Sequence, residues 1–213
     1  MTNLLYKELR LAAHPNLFIF MLMGALLLVP DYPFGVVFLF GVLGPYITFF
    51  YDRETRDTYF TVLLPVQKRD VVKGKCLLIC FAQLGQLLIS IPFAVLRQVI
   101  YADGNSVGID ANVAYYGFGL IIFSVFDFIF LTEFYRTAYK AGMALIVALI
   151  PAAICIAAME FSAHVPQLLW IDGTDAASLL RQIPLLILGA AVYALVLTAA
   201  CRISSRRFES VDL

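Results

Sequence analysis

Between Lys75 and Arg97 the chain reads CLLICFAQLGQLLISIPFAVL, 21 consecutive residues without a charged side chain. A bilayer's hydrocarbon layer is about 30 Å thick and a helix rises about 1.5 Å per residue, so roughly 20 apolar residues cross it. Comparable uncharged runs cover Leu11 to Pro30, Tyr32 to Tyr51, Ala111 to Phe126, Ala141 to Met159 and Gln182 to Cys201. The run from Ala111 resumes past Asp127, from Phe128 to Thr132. Only a helix satisfies its own backbone hydrogen bonds in lipid. Barrel strands would be about ten residues long with alternating polarity. The expected fold is therefore an all-α integral membrane protein, a single transmembrane domain over 1–213. Its six spans are placed at about 15–30, 33–51, 76–96, 112–134, 141–159 and 182–201.

Composition agrees. Of 213 residues 62% are apolar and 14% charged, and the mean hydropathy is +0.89. A soluble domain carries roughly 45–50% apolar and about 25% charged residues. With 15 basic and 15 acidic side chains, no global field draws the chain to nucleic acid. The first run is preceded by Lys7 and Arg10 as in a signal peptide. No small-residue cleavage pattern follows, however, and Asp31 and Pro33 lead directly into the next run, which fits a retained hairpin. Cys76, Cys80, Cys155 and Cys201 fall in or beside apolar runs, without metal-ligand spacing, and read as free thiols.

Orientation follows from the basic residues. With the N-terminus cytoplasmic, 13 of the 15 Lys and Arg residues lie inside and only Arg97 and Arg181 outside, so both termini are expected in the cytoplasm. The outer segment Glu160 to Arg181 carries Leu168, Leu169 and Trp170, a piece suited to the membrane interface.

The link between spans 2 and 3, Asp52 to Lys75, reads DRETRDTYFTVLLPVQKRDVVKGK. It is too charged to span and too apolar for a solvated loop. At 100° per residue Glu54, Asp57, Thr58 and Thr61 share one side of a helix that Pro65 ends, while Tyr59, Val62 and Leu63 share another, widened by Phe60 and Leu64. Such a helix either lies on anionic lipid or docks a cytoplasmic partner. Asn3 to Ala13 forms a smaller amphipathic elbow, with Leu5, Leu9 and Ala12 opposite Lys7 and Arg10.

This order of elbow, hairpin and charged link resembles the membrane subunits of type-2 ABC exporters. It looks like the small six-span permeases of the bacitracin and phenol-soluble modulin exporters. In that family an acidic residue opens a cytoplasmic coupling helix, a Leu-Leu-Pro-Val-like segment closes it and a Lys-Gly-Lys-like segment leads into the third span. Those positions are Glu54, then Leu63, Leu64, Pro65 and Val66, then Lys73, Gly74 and Lys75. Many members have a glycine where this chain has Arg56-Asp57. The resemblance implies an ATP-driven permease that moves amphipathic or hydrophobic peptides, such as peptide antibiotics or toxins, out of a bacterial cell or its membrane. It implies a second permease subunit, identical or related, and two cytoplasmic ATPase subunits that bind ATP and Mg. The ATPase-coupling residues would be Glu54, Asp57, Tyr59, Val62, Leu63 and Pro65.

No GxxxxGK[ST] loop, GxSxG or HExxH occurs in the sequence, so the chain itself is expected to be non-catalytic and to bind no cofactor or metal directly. Asp127, inside span 4, and Glu133, near its inner boundary, are candidate transport-path or gate residues, because an ionisable group in a membrane usually faces a cavity or a partner. Otherwise Asp127 would pair with a basic residue such as Arg136. The alternatives to an exporter are a six-span substrate-capture subunit of a vitamin importer, or an immunity or regulatory membrane protein.

Overall fold

The computed structural model describes residues 2–63, 66–101, 104–136 and 140–210, and the regular structure among them is all helical. α1 (Thr2–Lys7) runs on as a π-helical turn over Glu8–Ala12. The chain then bends by 103° into α2 (Pro15–Met21), where Pro15 takes the first turn and His14 caps it, accepting from Asn16 N at 3.2 Å. α2 tightens into a 3-10 helix over Leu22–Leu28. Because that form rises about 2.0 Å per residue, the short segment 15–28 still reaches about 25 Å.

Five further long helices follow: α3 (Gly35–Thr55), α5 (Lys68–Ile100), α6 (Val113–Arg136), α7 (Ala141–Ser162) and α9 (Ala176–Glu209). Each is long and apolar enough to cross a membrane, and the bent N-terminal pair makes a sixth candidate span. Two short helices, α4 (Asp57–Val62) and α8 (Leu169–Asp172), lie in the connections. α5 and α9 extend well beyond the uncharged runs at 76–96 and 182–201. Outside the apolar core Arg69 of α5 pairs with Glu209 of α9, while Lys73 and Asp70, both on α5, pair within one turn at 2.8 Å.

α6 is the central element, packed along α9 and α7. Its Phe123, Phe126, Phe130 and Phe134 are all buried, with Phe38 edge-on to Phe123 and Phe49 edge-on to Phe130 and Phe134. The α6–α9 crossing requires glycine on both sides. A Cβ on Gly189 would sit 2.4 Å from the Gly117 carbonyl oxygen, and one on Gly117 would sit 2.9 Å from that of Leu185. Small residues let helix backbones touch, and dispersion then holds helices together where lipid offers no hydrophobic drive.

α5 binds its neighbours through a buried polar stripe, Gln83, Gln86, Ser90 and Arg97. Gln86 Nε2 donates to the carbonyls of Val37 at 2.8 Å and Phe20 at 3.3 Å, and Ser90 Oγ meets Tyr116 OH at 3.1 Å. Arg97, expected among the outer charges, is only 3% exposed. Its guanidinium donates to the carbonyls of Leu27 and Val29, at 3.2 and 3.1 Å, and lies over the Phe34 ring. It thus satisfies acceptors that the end of the 3-10 helix leaves open.

The opposite end from α4 is closed by acids that accept backbone N–H groups. Glu160 accepts from Gly35 at 2.5 Å and Ile109 at 3.1 Å, and Asp172 accepts from Asp110 at 2.7 Å. Around the expected interfacial piece, Leu169 and Trp170 are exposed and Ile171 is buried.

Candidate functional site

Four elements meet at the basic end of the bundle around one lysine. Lys75, at the point where α5 enters the apolar core, is fully buried. Its Nζ lies 2.9 Å from Glu8 on the N-terminal elbow, 3.3 Å from Asp57 on α4 and 3.6 Å from Asp52 on α3, and 5.9 Å from the Phe49 ring centre. Lys7 completes the cluster, 2.6 Å from Asp57 and 3.1 Å from Glu8. Glu8 and Asp52 are buried as well. Ions stripped of water at this cost persist only when paired on several sides, so the cluster fixes the relative positions of the elements that supply it. Burial alone would raise the Asp57 carboxyl, but Lys75 and Lys7 outweigh it and hold the group below its ordinary value.

The link's periodicity puts Glu54 on one helix with Asp57, Thr58 and Thr61, but in the structure Glu54 lies in the last turn of α3 and a break separates α3 from α4. Arg56 between them adopts the left-handed conformation, φ 54°, ψ 30°. Its N–H bonds back to Asp52 O and closes α3, while Phe60 N donates to Arg56 O at 3.0 Å and starts α4. The left-handed state is costly for a residue with a Cβ and free for glycine. Asp52 then caps the new helix, accepting from Thr58 N at 2.8 Å and Thr58 Oγ1 at 2.5 Å.

The break sets which face of α4 looks outward. Thr58 and Thr61 are 5% and 4% exposed, whereas Tyr59, Phe60 and Leu63 are 43%, 60% and 66% exposed. The polar side is turned into the protein and the aromatic side away from it. Val62 is half-buried against the core. Glu54, placed by the periodicity on the polar stripe, belongs to the end of α3, is exposed, and makes no contact in the Lys75 cluster. Leu64 and Pro65 lie outside the described residues.

Of the proposed coupling residues the structure therefore brings Asp57 into a cluster with Lys7, Glu8, Asp52 and Lys75, none of which the sequence reading places among the coupling residues. A lysine directly preceding a long apolar run, with acids one turn outside neighbouring runs, was the available signal.

Asp127 and Glu133 lie elsewhere. Asp127, 1% exposed, accepts from Gln83 Nε2 at 2.8 Å, and Gln83 Oε1 accepts from Tyr193 OH at 2.8 Å, a chain joining α6, α5 and α9. The alternative pairing of Asp127 with Arg136 does not occur. Arg136 is bound to Glu133 at 2.6 Å, one turn away on α6, where two long flexible side chains meet without leaving the boundary.

The family model described as ABC-2 family transporter protein matches residues 3–208 of the chain. No curated protein and no solved structure matches it.

Proposed function

The chain belongs to the ABC-2 family of transporter proteins, and on that premise we propose that it is the permease subunit of an ATP-driven exporter whose ATPase seats on the outward face of α4. The observation that supports this reading is the inversion of α4. A helix outside the spanning segments presents Tyr59, Phe60 and Leu63 while its threonines are buried, and such a face needs a cover. In this reading α4 is the coupling helix, the bent N-terminal segment is an elbow at the membrane surface, and the basic end, with both termini, is cytoplasmic.

The cluster supplies the mechanical link. A displacement of α4 acts on Asp57, which is held at Lys75, and Asp52 ties the same helix to the end of α3 through Thr58. Movement of α4 away from α5 must break the pair between Asp57 and buried Lys75 and the cap that Asp52 gives Thr58, so in this reading α3, α4, α5 and the elbow move as one body. Energy released when two ATPase subunits close on ATP and Mg would thus reach the spans through packed, charge-locked helices. Two permease copies, or one copy and a relative, would frame the path in the plasma membrane. The cargo we favour is an amphipathic or hydrophobic peptide.

Inverted membrane vesicles holding the permease and its ATPase test this. They should accumulate a labelled amphipathic peptide when supplied with ATP and Mg. Accumulation equal to that of vesicles lacking the permease would overturn the export reading. A small molecule tightly retained by the permease alone would favour a capture subunit instead.

A further inference from the structure

At the same end of the molecule an open cleft of about 610 Å³ runs between α5 and α9. The two helices are antiparallel along it: Arg69 pairs with Glu209 at the mouth and Gln83 with Tyr193 at depth. Its walls change character with depth. At the mouth stand Arg69, Lys73, Arg202 and Arg206, and below them the lining is Leu77, Cys80, Leu197 and Cys201. On α5 the residues Arg69, Lys73, Cys76 and Cys80 are spaced to form one stripe, which descends about 16 Å.

We infer that this cleft binds one anionic phospholipid from the adjoining leaflet, with its phosphate among the four cations and an acyl chain along the apolar floor. An apolar void that faces lipid is filled by hydrocarbon, because water gains no partners there and an empty space forfeits dispersion contacts. The headgroup is selected by charge. Arg69 and Lys73 already hold Glu209 and Asp70, but Arg202 and Arg206 are exposed and carry no acid partner among the described residues. Two guanidiniums are matched to a phosphate, whose oxygens they bind in paired geometry. A second copy of this chain would bring the same cations face to face, and a cationic peptide would be repelled. The site is independent of the α4 reading and stands or falls separately.

The test uses the full chain in vesicles of equal parts dioleoyl phosphatidylglycerol and dioleoyl phosphatidylcholine, followed by native mass spectrometry of the released protein. Phosphatidylglycerol should be the lipid retained. Arg202→Gln and Arg206→Gln should each reduce its retention about fivefold, while Lys140→Gln, an exposed charge at the same end, should change it less than about twofold. Leu197→Trp, which fills the floor and leaves every cation in place, should also reduce retention. Equal retention of the two lipids, an equal loss on Lys140→Gln, or unchanged retention in Leu197→Trp would overturn the site. Efficient cross-linking of Thr198→Cys between two copies in the membrane would assign the cleft to a subunit contact instead.

Discussion

Lys75 Nζ stands 2.9 Å from Glu8 Oε2 with both side chains sealed from solvent, so the first helical segment of the chain is locked to the entry of α5 by an ion pair that water does not screen. Removing one partner of such a pair leaves an uncompensated buried charge, at about 3–5 kcal/mol. Lys75→Met should therefore lower the thermal unfolding midpoint of the detergent-solubilised chain sharply. Adding Glu8→Gln should restore part of the loss, because the two changes act on one interaction. A midpoint unchanged in Lys75→Met would show the cluster to be energetically idle.

Arg56 should be better replaced by glycine than by any β-branched residue. Its φ of 54° costs a side chain roughly 1 kcal/mol that glycine avoids. Arg56→Gly should leave stability equal or slightly raised, and Arg56→Val should lower it. Thermal midpoints in the same detergent decide this, and the reverse order would mean that α3 and α4 are not joined through a left-handed residue.

The two ends of the molecule should respond to acid with opposite sign. The Asp57 carboxyl is held below its ordinary 3.8: burial opposes its charge, and Lys75 and Lys7 more than offset that. Its stabilisation is present above that value and is lost as pH falls through the lower folded value. Asp110, at the other end, is raised by burial and by neighbouring Asp172, so its contribution is full below 3.8 and is lost as pH rises through the folded value. Asp57→Asn should be less stable than wild type at neutral pH, with the gap closing in acid. Asp110→Asn should gain on wild type as pH rises. Unfolding midpoints between pH 3 and 7 (about the carboxylate range) measure both, and parallel curves would contradict the assignment.

Asp127→Leu should destabilise the chain despite removing an ionisable group from a span. Gln83 Nε2 donates to Asp127 at 2.8 Å, and a leucine there strands a buried amide at about 1–3 kcal/mol. Asp127→Asn keeps an acceptor and should cost less. If the leucine variant unfolds no earlier than wild type, Gln83 does not depend on this partner.

How much of this was legible in sequence depends on whether one segment or two were involved. Uncharged length alone located all six apolar runs, since crossing a bilayer is a local property of each. The grouping of Tyr59 with Leu63 was likewise local. Which side of α4 faces inward was not, because a helical wheel states which residues share a face and not what covers it. The threonines turn inward because Asp52, on the preceding helix, caps Thr58 and because Lys75 and Lys7 hold Asp57. The burial of Arg97 was hidden for the same reason: its partners, the carbonyls of Leu27 and Val29, lie in another segment. Lys75 was read merely as the residue before a span because Glu8, Asp52 and Asp57 come from three other elements.

The most direct test of the account is recovery of the ATPase with the permease. The wild-type chain, expressed with its genomic neighbours and extracted in mild detergent, should bring down an ATPase in stoichiometric amount. Phe60→Asp or Leu63→Asp must desolvate a charge in the contact, at several kcal/mol, and should release the ATPase while leaving the permease folded. Lys140→Asp, exposed at the same end, is the control. Thr61→Asp is not, because Thr61 is buried and the change would disturb α4 itself. Recovery lost in both α4 variants and kept in Lys140→Asp is the predicted result. Full recovery with Phe60→Asp and Leu63→Asp, or no ATPase with the wild-type chain, would contradict it.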